Sequence, residues 1–447
     1  MGKARRFVLP AYVLLCLLVG GSSQGNWSNA LLQLIAVLML VYVVIAGRAE
    51  AYGKHGRALI AIGIAAVAII IVQLVPLPPS VWGSLGGRDL ILSGQAALGL
   101  QPSWQPLSVA PYATLQTAFA LLPPFAAGAW ALRTKNVDET MLAGAVVLGA
   151  LASVLLGAVQ VASAGQASWA YFYRFNSTGA VGFFANRNHM ASLLVAAIPF
   201  AAMLFAGGQE RLRGRGRSFA VAAIGGGAFL LLVIGILLNA SLAALALAVP
   251  VLAFSILLLP AGWRQRRLIA PAGAVALVAA ILALGNASVR SDLAGVSDLG
   301  SIQSRQHMWS ATADSIAATF PVGTGLGTFA HVYALQDDPA AVDSSYVNHA
   351  HNDYLELILE LGLPGLLLIL AGLIWWGASA IGVWRSPSST TLAKAATIAS
   401  AALLAHSLVD FPLRTAGLAT LLAACFGLIA QRAAGREAGR ARHVTIA

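Results

Sequence analysis

Charged residues are scarce in this sequence, and so are cysteines. Only 10% of the 447 residues are charged, whereas a soluble globular protein carries about 25%. Most of the chain therefore cannot face water, which argues against a soluble protein. The two cysteines, Cys16 and Cys425, lie in separate apolar runs without neighbouring metal ligands, so neither a disulfide framework nor a zinc site is expected.

The sequence also lacks an internal repeat and a nucleotide-binding loop. Gly323, Gly325 and Gly327 alternate, but they have neither the lysine nor the strand–turn–helix context of a phosphate-binding loop. The net charge is +11, yet the basic residues form short clusters between apolar runs. That distribution is typical of membrane topology signals and argues against a nucleic-acid surface.

What the sequence has in abundance is apolar runs of about 18 residues or more, the length that crosses a bilayer. They predict an all-α, polytopic membrane protein with about 12 transmembrane helices, folded as a single transmembrane domain over 1–447. No A-x-A cleavage site follows the N-terminal apolar stretch, so we expect a retained first helix and not a signal peptide. The predicted helices are 7–22, 29–47, 58–76, 111–132, 140–162, 189–206, 218–238, 241–260, 269–287, 354–384, 393–409 and 414–431.

Positive charge sets the predicted orientation. With both termini in the cytoplasm (N-in/C-in), 21 of the 27 lysines and arginines fall in cytoplasmic segments, including a basic cytoplasmic tail at 432–447. This asymmetry follows the positive-inside rule and predicts a multi-pass protein of the bacterial inner membrane. The six basic residues on the other side are Arg88, Arg174, Arg187, Arg290, Arg305 and Arg414.

Three outer segments are long enough to carry a function. They are 77–110, 163–188 and a large periplasmic loop, 288–353, between the ninth and tenth helices. Within the large loop, apolar residues recur one to two turns apart from Ser301 to Phe320. This spacing predicts a helix that lies on the bilayer surface.

The arginines of the outer segments are candidates for binding a phosphorylated lipid. Arginine is always charged and binds phosphate in a bidentate manner, so an outer cluster suits a lipid-linked pyrophosphate. The alternative is ion pairing with aspartates of the same region, which contributes little when the pairs are exposed. Those aspartates are Asp292, Asp298, Asp314, Asp337, Asp338 and Asp343.

The densest polar sequence, NHAHNDY, lies where the large loop returns to the membrane. A histidine at such a site, His349 or His351, can serve as a general base near neutral pH. His349, His351 and Asp353 also alternate as metal ligands could on an extended segment, and helix capping is a third interpretation. Glu356 and Glu360 follow on one face of the next helix, where carboxylates near hydrocarbon are costly.

A smaller polar turn is predicted between the last two helices, at 406–414. Asp410 can pair there with Arg414 or with an arginine of the large loop, although tight-turn structure is the simpler interpretation. His189, at the start of the sixth predicted helix, is similarly open between a structural and a functional role.

Three segments together resemble the O-antigen ligase and polymerase superfamily of bacterial membrane glycosyltransferases. His351 and Asn352, followed after nine residues by the GLPG sequence from Gly362 to Gly365, fit its H-[NSQ]-x9-G-x-x-G pattern. The other similar segments are 182–191, GFFANRNHMA, which resembles the G-x-F-x-N-x-N-x-x-A start of a helix in that family, and 305–329, which resembles the start of its large loop.

This resemblance implies a reaction and a set of site residues. Members of the family move a glycan from a polyprenyl diphosphate to an acceptor hydroxyl in the periplasm, and the ligases are inverting enzymes that need no metal, nucleotide or other cofactor. The resemblance implies His351 as catalytic base or acceptor-positioning residue, with Arg305 gripping the diphosphate. Implied substrate-binding residues are Arg174, Arg187, Arg290, His349, Asn352 and Asn188, and the implied structural motif residues are Gly362 and Gly365.

Two further readings of the function stay open. The paired R-x10-G-like segments of many polymerases do not align here, which favours a ligase acting on lipid A–core or a related glycolipid over an O-antigen or exopolysaccharide polymerase. From another class, a membrane transporter or flippase also suits twelve helices. The nearly charge-free spans and the lack of two similar halves argue against transport.

Overall fold

A computed structural model of the protein describes residues 5–22, 26–46, 52–134, 137–163, 166–173, 179–212, 218–239, 241–259, 298–335 and 347–433. Within these ranges the chain is almost entirely α-helical. The helices are α1 (Arg5–Val19), α2 (Trp27–Ile45), α3 (Lys54–Gln73), α4 (Pro79–Trp82), α5 (Asp89–Ala97), α6 (Pro111–Ala120), α7 (Leu122–Arg133), α8 (Glu139–Ala162), α9 (Arg187–Leu212), α10 (Ser218–Asn239), α11 (Leu242–Ile256), α12 (Asp298–Thr319), α13 (Phe329–Tyr333), α14 (Asp353–Arg385), α15 (Thr391–His406) and α16 (Ala416–Ala433), with 3-10 turns at Ser168–Ala170 and Pro412–Arg414.

A short antiparallel hairpin closes the segment between α3 and α6. Its strands are β1 (Pro76–Leu77) and β2 (Gln105–Pro106), in a register that places Leu77 opposite Gln105. The short helices α4 and α5 lie between the two strands. The predicted outer segment 77–110 is therefore a folded unit with its own secondary structure.

The predicted helical segments lie on observed helices wherever the structure describes the chain, although 111–132 is divided into α6 and α7 and 354–384 is broken at Gly362. Eleven of the twelve predicted segments coincide with helices, and the remaining one, 269–287, lies outside the described residues. The helix predicted for Ser301 to Phe320 is also present, as α12. Its place on a bilayer surface stays a prediction.

Membrane-spanning capacity is evident from length and composition. In the described ranges, six helical segments are long and apolar enough to cross a membrane: Trp27–Ile45, Lys54–Gln73, Pro111–Arg133, Glu139–Ala162, Arg187–Gln209 and Asp353–Arg385. Four shorter apolar helices accompany them. These segments fit an all-α membrane protein, while the number of twelve spans and the N-in/C-in orientation stay predictions.

Burial separates a central helix from peripheral ones. In α9, 78% of the apolar window is buried, against 11% in α3. Helix α9 packs against α8, α10, α11 and α15, and most of its apolar residues belong to the main hydrophobic core. Helix α3 exposes large side chains such as Ile64 and Ile71, the surface that a helix facing lipid requires.

Helix α14 is broken near its start, at Gly362. This residue has φ 63° and ψ −142°, and the N–H of Leu363 donates to the carbonyl of Pro321 at 2.8 Å. Only glycine suits the position, because a Cβ would lie 2.2 Å from that same carbonyl oxygen. The break leaves residues 363–385 as a continuous helix of about 34 Å, a span-length helix.

The break frees two backbone carbonyls, and the large loop satisfies both of them. Leu359 loses its intrahelical donor, and Glu360 would have to receive a hydrogen bond from Pro364, which has no N–H. Their oxygens instead accept from the N–H groups of Thr324 at 3.1 Å and Gly325 at 2.8 Å. The predicted single helix 354–384 is thus two helices joined where the loop packs.

Candidate active site

Four segments that are distant in sequence meet around one carboxylate, Asp410. They are α12, the loop that precedes α14, the first turn of α9 and the turn that follows α15. Two polar groups donate directly to this carboxylate: Asn188 Nδ2 to Oδ2, and the N–H of Phe411 to Oδ1 at 2.8 Å. Around it lie Arg305 Nη2 at 3.6 Å, His189 Nε2 at 3.6 Å and His351 Nδ1 at 3.7 Å. Asp410, Asn188, His189, Arg305 and His351 are called here the Asp410 cluster.

Asp410 stays ionised in this setting. Burial alone would raise the pKa of its carboxyl, but the imidazoles of His189 and His351 outweigh burial and hold the pKa well below its usual range. The guanidinium of Arg305 adds a fixed positive charge on the same side. A buried carboxylate in this position orients the basic groups that surround it.

Two members of the cluster remain accessible. The side chains of Arg305 and His351 are 23% and 24% exposed, whereas those of His189 and Asp410 are 2% and 1% exposed. A ligand that approaches the cluster therefore meets one guanidinium and one imidazole. Asp410, His189 and Asn188 are buried beneath these two side chains, and Asp410 lies beside both of them.

The ring of Phe411 fills the space among three histidines. Its centroid lies 4.4 Å from that of His349, 4.7 Å from His189 and 4.8 Å from His351, the last two in edge-on contacts. Such contacts are favourable and keep water away from the inner side of the imidazoles. The orientation of His351 is thus constrained by both charge and packing.

His351 has a backbone conformation that is unusual for a residue with a side chain. Its φ is +48°, in the left-handed region, which costs an L-residue about 1–2 kcal/mol. Residues held in this region concentrate at functional sites, where the surroundings enforce them. The strain falls on the histidine that the family pattern selects.

A second buried group, the Arg414 cluster, consists of Arg414, Asp353, Glu356 and Glu360. Nη2 of Arg414 lies 3.0 Å from Glu360 Oε2 and 3.3 Å from Glu356 Oε1, and Nε lies 3.7 Å from Asp353 Oδ1. Burial would lower the pKa of Arg414, but these carboxylates raise it above its usual value. The three acidic residues face one way because their spacing of three and four residues follows the helix.

The pattern of His351, Asn352, Gly362 and Gly365 is called here the His–Gly motif, and its other residues, together with the neighbouring His349, make structural contacts. His349 is buried with Nδ1 at 2.8 Å from Glu356 Oε1, and Asn352 caps α14 by accepting from the N–H groups of Tyr354 and Leu355. Their predicted roles in substrate binding stay predictions. A Cβ at Gly365 would lie 2.7 Å from the carbonyl oxygen of Leu357, which explains the need for glycine there.

The other predicted arginines fall into two groups. Arg187 opens α9 beside Asn188 and is partly exposed, whereas Arg174 and Arg290 lie outside the described residues. The choice between Arg174 and Arg187 as a second diphosphate ligand therefore stays open. Arg305 does lie beside an aspartate, but that residue is Asp410, in the turn between α15 and α16, and not an aspartate of the large loop.

Arg88 is enclosed by backbone. Its guanidinium donates to the carbonyls of Gly86 at 2.9 Å, Leu107 at 2.8 Å and Gly323 at 3.2 Å, and it is fully buried. Burial lowers the pKa of Arg88 to about 10. This arginine joins the hairpin segment to the glycine-rich turn and has a structural role.

Asp410 and Arg414 make more long-range contacts in the structure than the tight turn predicted for 406–414 requires. Of the two pairings predicted for Asp410, the structure shows the one with an arginine of the large loop. A charged pair in a short turn between two apolar helices was the available signal. Its weight could not be judged without the long-range contacts.

A metal interpretation of His349, His351 and Asp353 finds no geometric support. Within the described part of the chain, no three histidine, cysteine, aspartate or glutamate side chains are grouped as ligands of a metal ion would be. His349 instead faces Glu356, and Asp353 accepts hydrogen bonds from Ser407 Oγ at 2.8 Å and from the N–H of Leu413 at 3.2 Å.

The site thus combines an accessible guanidinium and an accessible imidazole with a buried carboxylate, on helices that fit an all-α membrane protein. Residues 226–370 match the family model described as O-Antigen ligase. This match confirms the predicted resemblance to the O-antigen ligase and polymerase superfamily of membrane glycosyltransferase-like enzymes, over a stretch that includes Arg305, His351 and the glycine break. No curated protein matches the chain closely enough to serve as a relative.

Proposed function

We propose that this protein transfers a glycan from a polyprenyl diphosphate to an acceptor hydroxyl on the periplasmic face of the inner membrane. The reaction is of the O-antigen ligase type, with lipid A–core or a related glycolipid as acceptor. The observation that carries the proposal is the pair of accessible groups, Arg305 and His351, on one buried carboxylate. The family match over 226–370 supports it.

His351 is the proposed base. Its Nδ1 faces Asp410, so the carboxylate favours the tautomer with the proton on Nδ1 and leaves Nε2 free to accept one. Nε2 removes the proton from the acceptor hydroxyl as its oxygen attacks the anomeric carbon of the donor sugar. Attack from the side opposite the leaving group inverts the configuration at that carbon.

Arg305 is the proposed ligand of the leaving group. The bond between the anomeric carbon and the diphosphate oxygen breaks, and the electron pair leaves with the diphosphate. The developing negative charge requires fixed donors, which a guanidinium supplies without reorganisation. Nη2 of Arg305 faces Asp410, and within the described residues its other N–H groups have no hydrogen-bond partner, so we propose that they bind a phosphate. Arg187, or Arg174 or Arg290, is the proposed second cation.

The donor is already activated in this scheme. A diphosphate is a good leaving group, so the proposed transfer uses neither a nucleotide nor a metal ion. The lipid tail keeps the donor in the bilayer, which agrees with a site built on apolar helices. The proposed partners are accordingly the lipid-linked glycan, a glycolipid or glycan acceptor and membrane lipids.

A strain that lacks the gene tests the proposal. We expect long polyprenyl-linked glycans to accumulate while the surface acceptor stays bare, and wild-type protein to restore transfer. Accumulation of single unpolymerised repeat units would show a polymerase of the same superfamily instead. Unchanged glycans in the deletion strain would contradict both and favour a transporter.

A further inference from the structure

The residue before His351 is held at both of its backbone polar groups. Ala350 is fully buried; its N–H donates to Glu356 Oε2 at 2.9 Å, and its carbonyl accepts from Trp309 Nε1 at 2.9 Å. The N–H belongs to the peptide group between His349 and Ala350 and the carbonyl to the one between Ala350 and His351, so neither peptide group can rotate without breaking a hydrogen bond. The backbone that enters His351 is therefore fixed by two side chains from different helices.

Trp309 connects this peptide to the helix that carries Arg305. The two residues are four positions apart on α12 and therefore lie on the same face. Arg305 reaches Asp410 from that face, while the indole of Trp309 reaches Ala350. A shift of α12 relative to His351 would thus break the indole–carbonyl hydrogen bond.

Glu356 provides the opposite attachment. Besides Ala350, it contacts His349 Nδ1 at 2.8 Å and Arg414 Nη2 at 3.3 Å, and it is 1% exposed. Glu360 shares the contact with Arg414 but is joined to no residue of 349–351 among the hydrogen bonds of the described residues. Of the two glutamates, only Glu356 is therefore connected to the loop of His351 within the described residues.

We propose that Trp309 and Glu356 are positioning residues, which fix Ala350 from both sides and so hold the imidazole of His351 at a set distance from Arg305. The inference rests on the proposed function, because it concerns the geometry of that transfer. In the left-handed conformation of His351 the backbone must be enforced from outside, and these are the groups that enforce it. A displacement of about 1 Å at a reacting group can cost about 100-fold in rate.

The first test replaces Trp309 by phenylalanine, which keeps an aromatic ring and removes the N–H. Transfer is measured with purified protein in nanodiscs, with lipid-linked glycan extracted from the deletion strain as donor and lipid A–core from that strain as acceptor. We expect kcat to fall about 10- to 100-fold, with KM for the donor changed less than about threefold. Trp375→Phe is the matched control, because Trp375 Nε1 makes an equivalent 2.8 Å hydrogen bond to the carbonyl of His55 away from the site.

The second test compares Glu356→Gln with Glu360→Gln. Both change a buried carboxyl that contacts Arg414, but Glu356→Gln also alters the contacts with His349 and Ala350. A purely structural role therefore predicts a larger loss of thermal stability in Glu356→Gln, with the kcat of the folded protein similar in the two variants. The positioning role predicts a kcat lower by about 10-fold or more in Glu356→Gln than in Glu360→Gln. If Glu356→Gln does not fold, the Trp309→Phe result decides alone.

The outcomes separate the inference from the proposed function. If the wild-type protein transfers no glycan in this assay, the proposed function fails. If it does transfer glycan and Trp309→Phe matches Trp375→Phe in kcat, the positioning role is wrong while the proposed function stands. A rise in KM without a fall in kcat would likewise overturn the positioning role.

Discussion

The Asp410 and Arg414 clusters have opposite charge arrangements. In the first, one carboxylate is surrounded by a guanidinium, two imidazoles and an amide, and two of the cationic or basic groups reach the surface. In the second, one guanidinium is surrounded by three carboxylates, and all four side chains are largely buried. His349 lies between them, in contact with Phe411 on one side and Glu356 on the other.

This difference assigns different tasks to the two clusters. An excess of donors around Asp410 leaves N–H groups for an anionic ligand, whereas the donors of Arg414 are taken up by carboxylates. A buried ion pair contributes little net stability, but removal of one partner is severely destabilising. We therefore expect substitutions in the first cluster to lower activity and those in the second to lower stability, with Glu356 affecting both because it also holds Ala350.

The largest effect on activity is expected at His351. His351→Asn and His351→Gly both remove the proposed base and should lower transfer by about 10²- to 10⁴-fold, measured with lipid-linked glycan in nanodiscs. Glycine and asparagine both tolerate a φ of +48°, so neither variant should unfold. Wild-type turnover in His351→Gly would mean that the position matters only for its backbone.

Arg414→Met should have the largest effect on stability. It leaves Asp353, Glu356 and Glu360 buried without their cation, which costs about 3–5 kcal/mol by comparison with other buried pairs. Denaturant unfolding in detergent measures the loss. Adding Glu360→Gln to Arg414→Met should recover part of it, because one uncompensated charge is removed. A neutral Arg414→Met would refute the division of tasks between the clusters.

Substitution of Arg305 should lower activity strongly and stability only slightly, the reverse of the effect expected at Arg414. Arg305→Ala is expected to lower transfer by about 10²- to 10³-fold through the loss of a donor to the leaving diphosphate. Stability should change by only about 1 kcal/mol, since the side chain is partly exposed and 3.6 Å from its partner. Arg305→Lys keeps the charge but loses the fork of donors, so intermediate activity is expected. An unfolded Arg305→Ala protein would show that Arg305, like Arg414, is required for stability.

The smallest effect concerns pH. Because the pKa of Asp410 is lowered, its ionisation stabilises the folded protein above the unfolded-state value of about 3.9, and this contribution is lost only as pH falls through the lower folded value. The difference in melting temperature between wild type and Asp410→Asn should therefore be no smaller at pH 5 than at pH 8. A difference that shrinks by pH 5 would show that Asp410 takes up a proton in that range.

The helices could be predicted because a long apolar run identifies a membrane-spanning helix in the sequence itself. The shared face of Glu356 and Glu360 could also be predicted, because residues four apart lie on one side of a helix. The Asp410 cluster could not, since Asn188, Arg305, His351 and Asp410 come from four separate segments. Nothing local in a sequence states which turn will face which loop. The family pattern selected His351 and Arg305, while their common neighbour became visible only through the fold.

The break in α14 makes the spacing within the His–Gly motif determine how the residues before Gly362 are rotated about the helix axis. Gly362 is fixed against Pro321, and Glu356 and Glu360 must point inward from the helical residues just before it. An added residue in that stretch would turn everything upstream by about 100° and advance it by about 1.5 Å. The nine residues between Asn352 and Gly362 therefore define an angle as well as a length. A change in the number of residues in that interval should therefore displace His351 and the acidic residues relative to Gly362.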